Sequence, residues 1–199
     1  MKYFIISSGI LILVFAIFQG YQAFAFSSTI RQAYKVIKVE KEFEIRYYPS
    51  VTIATISSSA KSYKDLGNYG FRKLANYIFG GNKTNQKIEM TAPVHMDIND
   101  CLSTMSFVMP PIYSINNLPI PNDSTVNLSN TSSEYVAAIT FNGFANDRDI
   151  TFYTLKLENA LNEKKIGYYG NFRYLGYNPP YQLLGRRNEV IVSVNWDTK

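Results

Sequence analysis

The sequence predicts an α+β domain in which an antiparallel sheet or barrel carries two helices packed outside it. Three observations point there. Short β-branched and aromatic segments recur along the chain and end in Pro, Gly, Asn or Ser. Two stretches read as amphipathic helices, the first with apolar residues at i, i+3, i+4 and i+7. The order strand, loop, helix, strand appears twice, starting at Val51 and again at Val136. The residues themselves do not repeat, so this is similarity of plan, a weaker signal than a sequence repeat.

Taken in order, residues 34 to 48 read as strand, with Phe43, Ile45 and Tyr47 on one face. Pro49-Ser50 turns the chain, because proline fixes φ and removes a donor. Val51 to Ile56 is a second, β-branched strand. The polar stretch Ser57 to Lys64 leads into a helix from Asp65 to Phe79, whose apolar face is Phe71, Leu74, Ala75 and Ile78. Gly80-Gly81-Asn82 ends it. Ile88 to Val94 reads as a strand closed by Pro93, and Met105 to Met109 as another, ended by Pro110-Pro111. Residues 114 to 133 are turn-rich and read as a surface loop with one short strand around Val126. Tyr135 to Phe141 is a strand. A helix follows from Asp149 or Thr151 to Asn162, with Phe152, Leu155, Leu157 and Leu161 apolar. Tyr168 to Leu175 and Val190 to Val194 complete the strands, the last with Val190, Val192 and Val194 on one face. Between these two lies a loop stiffened by Pro179-Pro180.

Composition bounds the chemistry. The chain has 199 residues, a net charge of +5, and 15% aromatic residues. Its basic residues are scattered, with no run longer than Arg186-Arg187, which argues against a nucleic-acid face and permits weak attraction to anionic ligands or membranes. The aromatic content fits a β-rich core, and also a pocket for a flat apolar ligand; composition favours the first. A single Cys, Cys101, allows no intramolecular disulfide, and a single His, His95, leaves too few ligands for a Cys/His zinc site. There is no G-x-S-x-G, H-E-x-x-H, C-x-x-C or P-loop. His95 reads as a structural strand residue, Cys101 as an inert thiol, and Asp97 and Asp100 as solvated turn residues. No nucleophile, base and oxyanion donor assemble from this sequence, so the chain is not read as an enzyme.

The first 26 residues stand apart. Lys2 precedes an apolar run from Tyr3 to Phe18, and Ala23-Phe24-Ala25 supplies a small-x-small end. That is the plan of a secretory signal peptide cleaved after Ala25. Tyr3 to Phe26 is also long enough for a retained membrane anchor. Either reading places the folded part, residues 27 to 199, on the extracytoplasmic side: secreted, periplasmic, lumenal or membrane-anchored. In a eukaryotic lumen, Asn82, Asn122, Asn127 and Asn130 would begin glycosylation triplets, although an Asn-rich chain also generates these by chance.

Several motifs carry a family resemblance. They are Glu44-Ile45-Arg46-Tyr47-Tyr48, then Gly70-Phe71-x-Lys73-Leu74-x-x-Tyr77-Ile78-x-Gly80-x-Asn82, then Lys87-Ile88-Glu89-Met90-Thr91-Ala92-Pro93-Val94, then Gly143-Phe144, and the run from Gly176 through Pro179-Pro180 to Asn188-Glu189-Val190. From Tyr34 to about Val194 the chain resembles the SOUL/haem-binding-protein family. The resemblance implies a distorted β-barrel flanked by two helices with pseudo-two-fold symmetry. It also implies non-catalytic, non-covalent binding of haem or a related tetrapyrrole, as a carrier or buffer, by a monomer. The alternatives are a module of the same fold for another hydrophobic small molecule, or a protein-interaction scaffold.

The site the resemblance implies is a groove between Phe71, Leu74, Ala75 and Ile78 and the loop Tyr177 to Tyr181. A porphyrin is a flat apolar plate with two carboxylates on one edge, so it needs apolar walls and cations at the rim. Arg72, Lys73, Arg186 and Arg187 are the candidates, although Arg186, Arg187 and Glu189 read equally as a structural ion-pair set that anchors the loop. Two departures stand out. Tyr47 occupies the place of a His that some relatives carry as a proposed axial ligand, and Asn68 and Asn76 stand where others carry basic residues. No metal ligand is assigned, Tyr47 being the one candidate.

Overall fold

Strand alternation and two helical stripes assemble into one antiparallel sheet with both helices on the same face. The computed structural model describes residues 29–99 and 101–196, with the isolated positions Val14 and Phe18. Apart from those two positions, the segment read as signal peptide or anchor lies outside the described residues. The elements are β1 (Lys35–Val39), β2 (Glu44–Tyr48), β3 (Thr52–Ser58), α1 (Tyr63–Ile78), β4 (Val94–Asp97), β5 (Ser103–Val108), β6 (Asn127–Asn130), β7 (Glu134–Asn142), α2 (Asp147–Glu163), β8 (Tyr168–Gly176) and β9 (Arg187–Val194). The strands are hydrogen-bonded in the order β1-β2-β7-β9-β8-β4-β5-β3-β6. The sheet ends at β1 and β6, so it is open and does not close into a barrel.

The doubled plan is visible in that order. Around the β4–β8 seam the neighbours read β7-β9-β8 on one side and β4-β5-β3 on the other. Exchanging β3, α1, β4, β5 for β7, α2, β8, β9 maps one half onto the other. In β9, Val190, Val192 and Val194 point to α2, where they meet Ile150, Leu157 and Leu161. In the other half, Ala54, Ile56, Met105 and Phe107 lie under Leu66, Leu74 and Tyr77 of α1. The opposite face carries a third cluster around Tyr48, Val136, Leu175, Tyr177 and Ile191. Both faces of the central strands are therefore buried.

Three sequence expectations shift. Residues 34 to 48 are a hairpin, β1 and β2, not one strand; Glu40 N–H donates to the Phe43 carbonyl across the turn at 2.9 Å. Residues 88 to 93 are not a strand closed by Pro93: β4 begins after it, at Val94. A proline has no N–H for the ladder and is tolerated at a strand's entry. The residues before it bond elsewhere, Ile88 N–H to the Ile78 carbonyl at 2.7 Å, and Ala92 to residues 30 and 32 of the N-terminal strap. In α2 the buried stripe is Ile150, Leu157, Ala160 and Leu161, while Phe152 and Leu155 are more than half exposed. Spacings of seven and eleven residues keep Ile150, Leu157 and Leu161 on one side; Phe152 and Leu155 fall on the other.

Both helix starts are chemically marked. Ser62 accepts from the Asp65 N–H, and Asn146 forms a capping box with Asp149. At the end of α1, Asn82 is buried; its amide nitrogen donates to the Tyr77 and Gln86 carbonyls at 3.1 and 2.7 Å. The atom a glycan would take is enclosed and already bonded, so the triplet beginning at Asn82 serves the helix end instead. Asn122, Asn127 and Asn130 are exposed.

Helix α1 approaches the sheet closely because Gly70 has no side chain. A Cβ there would meet Ile56 Cδ1 and Met105 Sδ at 3.0 Å and Met105 Cβ at 3.1 Å. Gly70→Ala is expected to lower the unfolding free energy by about 1–3 kcal/mol, the scale of overpacking a filled core, despite alanine's better helix propensity. Urea unfolding of the full-length protein reads the change; a stabilised variant would show that the helix lifts freely.

Candidate functional site

Two cavities lie on opposite faces of the β4–β8 seam, and strand alternation assigns residues to each. Val94 and Met96 of β4, with Tyr174 of β8, belong to the helix side; His95, Arg173 and Leu175 belong to the other.

On the helix side an outer cleft of about 370 Å³ runs between α1 and the diproline loop. Gly67, Asn68, Phe71 and Arg72 come from α1. Met90, Thr91, Ala92, Val94 and Met96 form the floor, and Tyr174, Gly176, Pro179 and Pro180 the far wall. A second hollow of about 330 Å³, between the starts of α1 and α2, shares Gly67, Asn68, Met96 and Tyr174 with it. Glycines at 67 and 176 leave backbone rather than side chains at two points of the lining.

The predicted site residues divide. Phe71 and Arg72 line the cleft; Leu74 and Ile78 do not, being 0% and 1% exposed in the core beneath α1. Ala75 does not line it either. The stripe at 66, 70, 74, 77 and 78 faces the sheet, and the flank at 67, 68, 71 and 72 faces the cleft, one helical step round. Lys73 turns away, with Nζ 2.9 Å from Asp123 Oδ2 and 2.8 Å from Thr125 Oγ1. The Thr125 bonds and then Lys73 hold Asp123 down to about 2. Arg72 is exposed and, among the described residues, has no ion-pair or hydrogen-bond partner.

The loop arginines have structural work. Arg186 donates to the carbonyls of Pro179 and Gln182 at 2.6 and 2.8 Å and stacks on Phe144 at 4.3 Å. It therefore clamps the diproline loop, with one face toward the cleft. Arg187 lies on the other side of the sheet. Its Nη2 is 2.6 Å from Glu189 Oε1 and 3.0 Å from the Tyr34 hydroxyl. Tyr177 borders the cleft, but its ring is buried and its hydroxyl donates to Glu189 at 2.8 Å. Tyr181 is 55% exposed at the loop tip, outside the cleft lining. Tyr47 stacks at a tilt on Tyr135, 5.1 Å between centroids, and lines neither cavity.

Glu189 organises the inner face. It is 0% exposed and accepts from Arg46, Tyr177, Thr140 and, twice, Arg187. Burial pushes its carboxyl up, but Arg46 and Arg187 more than offset this and hold it below the ordinary carboxylate range. Burial and the same carboxylate push the Tyr177 phenol far up, so it stays a donor. Arg46 reaches Glu44 as well, at 2.7 Å, and lies 4.4 Å over the Tyr34 ring. Beside this network sits the inner cavity, about 170 Å³, lined by His95, Gln32, Tyr48, Glu134 and Arg173 among others. Glu134 accepts both Arg173 nitrogens at 2.9 and 2.8 Å. His95 Nε2 lies 2.7 Å from Gln32 Oε1, and burial followed by Arg173 brings its pKa down to about 3.

The motif segments of α1, of residues 90–94 and of the diproline loop border the outer cleft, the Glu44–Tyr48 motif supplies Arg46 to the Glu189 network, and comparison with known proteins agrees with these motifs. Residues 30–193 match the family model described as SOUL heme-binding protein. The chain belongs to this family. It is 30% identical over 166 residues to Heme-binding protein 1 of Xenopus laevis, covering 78% of this chain and 86% of that protein. It is 30% identical to Heme-binding protein 2 of Homo sapiens, covering 79% and 80%. The relatives are named for binding, not for a reaction. Among solved structures, the EcmrR C-terminal domain superposes with a TM-score of 0.59 at 6% identity, over 78% of this chain and 98% of that one. A hydrolase from Listeria innocua gives 0.56 at 6%, over 80% and 94%. At such identity these show a shared fold only.

Sequence reading missed Gly67, Met90, Val94, Met96, Tyr174 and Gly176 as cleft residues. Met90 to Val94 lay inside a quoted motif, and the alternation of Val94 and Met96 was readable once β4 was started after Pro93. No local signal marks Gly67 or Gly176.

Two outcomes follow from the inner face. Glu189→Gln leaves Arg46 and Arg187 without their carboxylate and is expected to cost about 3–5 kcal/mol, the scale for breaking a buried pair; an unchanged urea midpoint would remove Glu189 from its central role. His95 is neutral when folded and takes a proton when unfolded below about pH 6.5. Its depressed pKa contributes stability that is present above that pH and is lost as pH falls toward about 3. Wild-type melting temperature should therefore decline from about pH 6.5 downward, whereas His95→Gln should hold level until the carboxylate range, near pH 4.5.

Proposed function

We propose that the protein binds haem or a related tetrapyrrole non-covalently in the outer cleft, as a carrier or buffer and not as an enzyme. The observation that carries this is Arg72: an exposed, unpaired cation on the rim of an apolar cleft, in a chain of a haem-binding family. The lining suits a flat plate. Phe71, Val94, Met96 and Pro180 are apolar, and backbone at Gly67 and Gly176 allows close approach. The volume lies near the lower end of the roughly 300–1,000 Å³ of ligand pockets, so a macrocycle would sit edge-out with its carboxylates toward water. Covalent attachment would need a thiol, and Cys101 lies in the β4–β5 turn rather than in the cleft lining.

The same reading keeps the folded part outside the cytoplasm, as a monomer, with residues 3–26 as signal peptide or anchor. The inner cavity is less suited to a macrocycle: it is smaller, and its Glu134 and Arg173 already satisfy each other.

Haemin titration of the full-length protein, followed by Soret absorbance, tests the cleft. Arg72→Glu should leave stability within about 0.5 kcal/mol, as for an exposed, unpaired side chain. It should weaken haemin binding by about 1.5–3 kcal/mol, the scale of hydrogen bonds to charged groups. The uncharged dimethyl ester of the porphyrin should not register the change. Lys73→Glu should leave haemin affinity unaltered, because Lys73 faces Asp123. Equal haemin affinity for wild type and Arg72→Glu would remove this rim from the site.

A further inference from the structure

Three chain segments meet in a surface patch that is both apolar and basic. The strap, residues 30–33, faces the start of the β5–β6 connection across a groove of about 330 Å³, lined by Ile30, Arg31, Pro111 and Tyr113 among others. The α1–β4 connection joins them. Gln86 Nε2 donates to the Tyr113 hydroxyl at 2.9 Å, and the Lys83 N–H to the Ile120 carbonyl at 2.9 Å. Phe79, the C-cap of α1, pairs with Lys87 in an antiparallel bridge.

On this frame three large apolar side chains stand in solvent: Ile112 is 77% exposed, Ile120 67% and Phe79 60%. The loop that carries the isoleucines is tied down. Between them Leu118 packs in the core under α1, and the Tyr77 hydroxyl donates to the Pro119 carbonyl at 2.9 Å. Cations surround the apolar side chains. Residues 30–33, 79–89 and 109–122 carry Arg31, Lys83 and Lys87 against one acid, Glu89. The three cations are exposed, and their side chains have no ion-pair or hydrogen-bond partner among the described residues. Bulky apolar residues set among lysine and arginine suit the headgroup region of an anionic bilayer: the apolar groups enter the interface, and the long basic stems keep their charges among the headgroups.

Chain length points the same way. The stretch from Tyr3 to Phe26 is long enough for a retained anchor, and only Ser27, Ser28 and Thr29 separate it from Ile30. Those four steps along the chain reach at most about 14 Å. A membrane that held this stretch would lie next to the strap, which Ile30 and Gln32 pin to Ala92. Thr91 lines both the groove and the outer cleft, so the cleft lies beside the same patch.

We propose that this patch docks on an anionic bilayer surface, with Ile112, Ile120 and Phe79 in the interface and Arg31, Lys83 and Lys87 on the headgroups. The proposal rests on the anchor reading of residues 3–26 and is independent of what the outer cleft binds.

The test uses the full-length protein with Cys101→Ser and one new cysteine, Ile112→Cys, Ile120→Cys or, as control, Leu155→Cys, each carrying an environment-sensitive fluorophore. Leu155 is exposed on α2, over the other half of the sheet. On phosphatidylcholine vesicles containing phosphatidylserine, the labels at 112 and 120 should shift to the blue and be quenched by spin-labelled lipid, while the label at 155 should do neither. The triple variant Arg31→Glu, Lys83→Glu, Lys87→Glu should still float with the vesicles through residues 3–26 but lose the shift at 112 and 120. Its urea midpoint should match wild type, because the three side chains are exposed and unpaired. If the protein floats and the labels at 112 and 120 stay as in water, or all three labels respond alike, the patch is not the docking surface. If the labels shift only when copies are crowded on the vesicles and not in a large excess of lipid, the patch joins copies of this chain, and the proposal is wrong. If the protein floats with neither phosphatidylcholine nor mixed vesicles, the anchor reading itself fails and the proposal falls with it.

Discussion

A single carboxylate inside the sheet, Glu189, ties together the parts of the chain that make the cleft. Removing an ion from water costs several kcal/mol even after relaxation. Here that cost is met by donors from four elements: Arg46 on β2, Thr140 on β7, Arg187 on β9 and Tyr177 just past β8. The donors from β2, β7 and the end of β8 fix the places of those strands relative to β9, and Arg187 adds a bond within β9. Tyr177 is the one that bears on the cleft, because it is the stem of the diproline loop. With its hydroxyl on Glu189 and its N–H on the Arg187 carbonyl, the loop leaves the sheet in one direction. The far wall of the outer cleft is therefore set from the opposite face of the sheet.

Arginines divide the work by their surroundings. Arg46, Arg173 and Arg187 sit in ion pairs on the inner face. Arg186 bonds loop carbonyls, a pattern that its planar fork of donors allows and a lysine would not reproduce. Of the two arginines lining the cleft, Arg186 donates to loop carbonyls, and Arg72 has neither a hydrogen-bond nor an ion-pair partner among the described residues.

The doubled architecture explains where the cleft lies. Two strand–helix–strand halves meet at β4 and β8, and each helix covers its own half. Neither helix covers the seam fully, so the outer cleft and its neighbouring hollow both open there. The halves have diverged at that point. After β8 the chain carries the clamped diproline loop, whereas the strap and the Met90–Ala92 segment lie against the entry to β4. A symmetric plan becomes an asymmetric groove with a loop on one side and a helix flank on the other.

Local pattern determined the fold class, the presence of both helices, the valine face of β9 and the motif-carried family. These depend on periods of two and 3.6 residues, which a chain displays whatever its tertiary partners. The same pattern misassigned Leu74 and Ile78 to the cleft. An apolar stripe says that a face is buried, but not whether sheet or ligand covers it. Only tertiary structure showed that the flank at Gly67, Asn68, Phe71 and Arg72, and not that stripe, lines the outer cleft. Pairings across long separations were equally invisible: Arg46 meets Glu189 across 143 residues, and Lys73 meets Asp123 across 50. Four arginine and lysine candidates looked equivalent as sequence. The fold separated them by partner: Arg187 meets Glu189, Lys73 meets Asp123, Arg186 bonds loop carbonyls, and Arg72 has no such partner among the described residues.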